Sequence, residues 1–237
     1  MSRAARYLAV AVTASLIVLA PNAAGAATAR GSIILEGLTL AGTQFGTPSG
    51  QPTTVATDPL ATPVVTGDHF LYSTITCASP FPPWNSFGLH FAPDYPGIAD
   101  PASVRHEIEG TVVSANRSGT VGVVRGTITS YLCENGVRTD RIVSSFTAVF
   151  QPTSATSVPL VGGGPVPTTG GLALSGAFTI TGGTGRFADL RGGGSLLGQF
   201  TCLASTLQRN GATSCADLGA FSEVPFQLRG GFVDPTA

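Results

Sequence analysis

Few side chains in this sequence could carry proton or anion chemistry. The chain of 237 residues holds 3 His, 12 basic and 13 acidic residues, and every basic residue is Arg. A lysine Schiff base and a P-loop lysine are therefore excluded. His90 and Asp94 stand four apart, the spacing of an acid–base pair if their segment closes as a lid, although a surface hydrogen bond gives the same spacing. The three histidines, His69, His90 and His106, show neither H-x-x-x-H nor H-E-x-x-H, so no metal site is expected. Ser195 sits in Gly193-Gly194-Ser195-Leu196-Leu197, which lacks the second Gly of a nucleophile elbow.

The densest motif is Thr181-Gly182-Gly183-Thr184-Gly185-Arg186-Phe187, running on to Arg191-Gly192. A strand ending in glycines suggests dinucleotide binding. That chemistry needs a helix directly after the turn, to hold the pyrophosphate at its N-terminus. Arg191-Gly-Gly-Gly194 is hostile to a helix, Ala188 stands where a third Gly belongs, and too little chain follows. No cofactor is expected. A strand–turn–strand reading fits better: Gly182, Gly183 and Gly185 admit positive φ, Phe187 plugs a core, and Gly192 lets the next strand coil tightly.

The elements that position these residues read as strands. The 31 Gly and 17 Pro make up about a fifth of the chain and break helices. Apolar and polar residues alternate at period two in several places, and about eight strands are expected, over 31–40, 69–77, 104–114, 119–133, 137–150, 172–181, 195–204 and 221–229. His106, Ile108, Gly110 and Val112 share an inward face, where a satisfied core histidine is the expectation. Asn135-Gly136 marks a tight hairpin pairing Glu134 with Val137. The fold class is all-β, a closed barrel or a sandwich. Stretches 42–66 and 151–171, rich in Thr, Pro and Gly, read as flexible loops. Stretch 78–103 differs, being rich in Pro and carrying Phe81, Trp84, Phe87, Phe91 and Tyr95; it either covers a core or contacts a ligand.

Residues 1–29 have the basic start, short apolar run and small-residue exit of a secretory signal peptide, with cleavage after Ala26 or Ala29. The remaining chain, 30–237, then forms a single exported domain without a membrane span. Four cysteines in such a chain form two disulfides, and of three connectivities Cys77–Cys133 with Cys202–Cys215 is preferred. A formal charge of −1 gives no basic face for nucleic acid. Association into a homo-oligomer stays open.

The segment from Thr181 to Gly192 resembles the signature of the plant dirigent proteins and the related allene oxide cyclase barrels, and Thr57-Asp58-Pro59-Leu60 is similar to a second dirigent motif. Bacterial secreted proteins share the resemblance. It implies an eight-stranded antiparallel β-barrel whose apolar cavity holds a small hydrophobic molecule and guides its cyclisation or coupling. Arg191 and Asp58 match pocket positions; Trp84, Phe91, Tyr95 and Tyr72 are candidate ligand contacts. The carboxylate that dirigent proteins place just before the glycine turn is missing from Ala177-Phe178-Thr179. A noncatalytic structural or cell-surface β-domain is the alternative.

Overall fold

The computed structural model describes residues 28–46, 66–73, 77, 88–99, 102–160, 165–213, 221 and 223–237. Asp58, Trp84 and Cys215 lie outside them, as does most of 42–66. The strands are β1 (Ala29–Gly46), β2 (His69–Ser73), β3 (Gly88–Ala92), β4 (Ala102–Ala115), β5 (Gly122–Glu134), β6 (Val137–Thr153), β7 (Ser157–Val158), β8 (Val166–Pro167), β9 (Gly171–Gly183), β10 (Arg191–Thr201) and β11 (Glu223–Asp234). One short helix, α1 (Ala204–Asn210), follows β10, and Gly185–Phe187 form a 3₁₀ turn.

Each of the eight expected stretches contains a strand, although β5 begins only at Gly122 and 195–204 runs into α1; where alternation marked them, one face of the strand is buried. Four of the described elements escaped it: β3, β7, β8 and α1. β3 lies inside the aromatic stretch 78–103, where prolines on both sides hide a five-residue strand. α1 is only seven residues, too short to set up a helical period. The 151–171 stretch, flexible by composition, instead continues β6 to Thr153 and pairs β7 with β8.

Nine strands form one antiparallel sheet that rings round on itself. The order is β11-β10-β9-β6-β5-β4-β2-β1-β3, and β1 also pairs with β11. The β5–β6 hairpin turns at Asn135 (φ 52°) and Gly136 (φ 77°), with Glu134 opposite Val137. Cys77 is bonded to Cys133 beside that turn. Cys202 is also disulfide-bonded.

Inward residues fill the ring by pairing rings with glycines. Phe70 faces Gly110, Phe146 faces Gly126 and Phe150 faces Gly122 across neighbouring strands. A Cβ on any of these three glycines would overlap the facing aromatic ring. The glycines thus make room for the rings, the small–large complementarity that close packing requires. Burying each Phe stabilises the fold by roughly 1.5–3 kcal/mol.

Two aromatic groups close the ring's ends. At the end holding the glycine turn, Phe91 packs on Tyr95 and Phe232, with centroids 4.7 and 4.9 Å away, and Tyr95 lies 5.6 Å from Phe187. At the opposite end Phe200 packs on Phe70, Tyr72 and Phe221. There a second layer covers the outer face. Leu38 and Leu203 are buried with Val158, Leu160 and Val166 of the β7–β8 region. Thr201 Oγ1 donates to the Gly170 carbonyl at 2.6 Å, fixing that layer to β10.

Candidate functional site

The glycine motif builds a brace. After β9 the chain turns through Gly185 at φ +57°, a conformation that costs any residue with a Cβ. A Cβ there would also overlap the carboxylate of Asp140 on β6. Room for that carboxylate matters because Arg186 Nε donates to Asp140 Oδ2 at 2.5 Å. The same guanidinium donates twice to Glu134, at 2.8 and 2.7 Å, a bidentate pair. The bonds to Glu134, then those to Asp140, push the Arg186 guanidinium further above its usual range. The Arg186 bond is also the leading reason that Glu134 stays below its ordinary carboxyl value. The turn is thereby fastened to the β5–β6 hairpin. Gly183 approaches the Phe187 carbonyl closely, whereas a Cβ on Gly182 would meet open space. Phe187 is 1% exposed and plugs the core.

Beneath the brace lies a buried polar contact. The Tyr95 hydroxyl points at Asp234 Oδ2 (2.5 Å) and at the Arg186 carbonyl (2.6 Å). Burial first, then the bond to Asp234, holds the phenol well above its usual value. Burial alone would raise Asp234, but Tyr95 and two donors from Thr236 outweigh it and leave the carboxyl low. Tyr95 is therefore a locked core residue.

The other candidates are dispersed. Phe91 is 3% exposed within the aromatic plug. Tyr72 is buried at the opposite end, its hydroxyl donating to the Phe221 carbonyl at 3.3 Å. Burial, with Glu223 nearby, raises its pKa far above normal. His90 lies on β3 with its Nε2 3.8 Å from Glu36 Oε1, while Asp94 is exposed beyond the strand. His106 faces inward as alternation predicts. The Glu36 carbonyl can only accept, so His106 Nε2 carries the proton, and Nδ1 accepts from the Ser130 hydroxyl at 2.9 Å. Burial lowers its pKa to about 4, so the imidazole is neutral at pH 7.

Arg191 sits on the outer face. Gly192 follows it on the inward side of β10, which turns the guanidinium away from the ring. Its Nη1 donates to the carbonyls of Ala188 and Leu190, at 3.2 and 2.7 Å, tying strand ends together. Arg191 also borders a shallow outer groove of about 580 Å³, with Arg30 among its lining residues. No family, no curated protein and no solved structure matches this chain.

Among the described residues, no cluster of three or more His, Cys, Asp and Glu could hold a metal ion. No helix among them is long and apolar enough to cross a membrane. Sequence reasoning missed Arg186, Glu134, Asp140 and Arg30. The Asn-Gly hairpin already paired Glu134 with Val137; its partner Arg186 lies 52 residues away, and no local spacing encodes that contact.

Proposed function

We propose that this chain is a noncatalytic, exported β-domain built as an eight-stave barrel, acting outside the cell through its surface. Two pairing patterns support the barrel. β2 pairs with the later part of β1 and with Glu107 to Thr111 of β4. β3 pairs with Ser32 to Leu35 of β1 and with Ala102 and Ser103 of β4. The two strands share one stave end to end. Following paired residues once round, from Thr43 through Leu71, Glu109, Thr127, Ser145, Thr179, Gly193 and Gly231, returns to β1 at Ser32. Such a stagger is what tilted staves need in order to close.

The observation that carries the noncatalytic reading is the burial of the described inward aromatic residues. Phe178, Phe187 and Phe226 are at most 3% exposed and belong to one continuous core. Among the described candidates, Arg191 and His90 lie outside the ring, and His106 is neutral and satisfied within it. The dirigent-like motif supports the other reading, an interior that holds an apolar molecule and guides its cyclisation. In this chain the motif's residues brace a turn. Export rests on the leader-like first 29 residues, and the Cys77–Cys133 disulfide is compatible with an oxidising compartment.

Soaking crystals with xenon and benzene tests the choice. The expected result is no guest inside the ring; a guest seated among Phe146, Phe178 and Phe226 overturns the noncatalytic reading. N-terminal sequencing of protein recovered from the medium tests export, with Ala27 or Arg30 expected as the first residue. Retention inside the cell with residues 1–29 intact would refute it.

A further inference from the structure

We infer that the outer groove beside the glycine-turn end is a binding site for a small planar aromatic anion. Arg30 on β1 and Arg191 on β10 both stand opposite Val233 of β11. They flank β11 on one face, their Cα atoms about 10 Å apart at ordinary strand spacing. Like charges so arranged repel, and an anion between them relieves the cost. Among the described residues neither arginine forms an ion pair within 4 Å. Asp234 interacts with Arg191 electrostatically, yet its carboxylate is buried and held by Tyr95 and Thr236.

The floor selects a flat ligand. Gly231 lies outward beside Val233 and presents bare backbone, backed by Gly31 and Gly192 on the adjacent strands. Val233 is 46% exposed, an apolar edge for a ring laid on that floor. The groove's roughly 580 Å³ suits one or two fused rings. Guanidiniums at either side would take the acid group bidentately. The site needs only an accessible outer face, whatever the interior holds.

Gly231 also supplies a test that spares the fold. A Cβ there meets nothing closer than the Gly31 carbonyl at 3.6 Å, ordinary contact, so Gly231→Val fills the groove without displacing backbone. The experiment is calorimetric titration of the purified protein with 2-naphthoate, 2-naphthylmethanol and acetate. Saturable binding of one naphthoate per chain is expected, at least tenfold tighter than either control and weakened by salt. Arg30→Ala with Arg191→Ala should weaken it at least tenfold, and Gly231→Val should abolish it with thermal stability unchanged. No saturable binding, or naphthoate binding that survives both variants, overturns the proposal. Alcohol binding as tight as naphthoate and insensitive to Gly231→Val also overturns it, and sinks the noncatalytic reading instead of sparing it.

Discussion

The two ends of the ring are sealed by similar aromatic plugs but secured by opposite means. At the turn end, Phe91, Tyr95, Phe187 and Phe232 sit under a lattice of half-exposed charges, Arg186 with Glu134 and Asp140. At the covered end, Phe70, Tyr72, Phe200 and Phe221 lie beneath apolar layers, and the charge is buried. There Glu223 accepts from the Leu203 N–H at 2.9 Å and from Thr206 Oγ1 at 2.5 Å, holding the start of α1. One end depends on directional bonds at a surface, the other on area removed from water. The first should respond to salt and to a single glycine, the second to lost volume.

The largest effect is expected at the covered end. Phe200→Ala leaves a cavity between Phe70, Tyr72 and Phe221 and should cost about 3–5 kcal/mol, read from urea unfolding. Loss confined to turn-end amides in hydrogen exchange would break the contrast. At the waist, His106 titrates near its ordinary 6.5 when unfolded and at about 4 when folded. Between those values the unfolded chain binds more protons, so stability rises with pH. That contribution is full above pH 6.5 and lost as pH falls toward 4, on the order of 3 kcal/mol. His106→Gln should flatten the slope of urea midpoint against pH across this window. Asp234 and Glu134, held low, act in a more acidic range.

Gly185→Ala should cost about 1–3 kcal/mol, from its positive φ and the collision with Asp140. Hydrogen exchange should quicken first in the Cys133–Val137 hairpin, leaving the β7–β8 layer protected. Arg186→Met should have the smallest effect. The signature is a difference in melting temperature from the parent that shrinks as salt rises, since surface pairs are screened. Phe200→Ala should show no such dependence.

Much of the ring was legible in the sequence. Period-two alternation marked β4, β6, β9 and β11 because a buried face imposes it, and Asn135-Gly136 fixed the register of one hairpin. The inward place of His106 followed from the same rule. What escaped depends on distance along the chain. Arg186 meets Glu134 and Asp140 only once β9 lies beside β6, and Arg30 reaches the groove only through β11. β3 hid among prolines because five residues give too little pattern. Arg191 shows the limit most clearly: its motif drew attention to it, but its face is decided by the parity of Gly192.

The seam between β1 and β11 bears on timing. Ala29 lies opposite Asp234, so the ladder that completes the circle joins the earliest and the latest of the described strands. Until β11 emerges, β1 waits with an open hydrogen-bonding edge while every strand between them is made. Closing so long a loop is slow, and an unpaired edge invites other chains. The nascent chain therefore stays adhesive along this edge until β11 pairs, and a guardian that shields one strand would suffice to see it through.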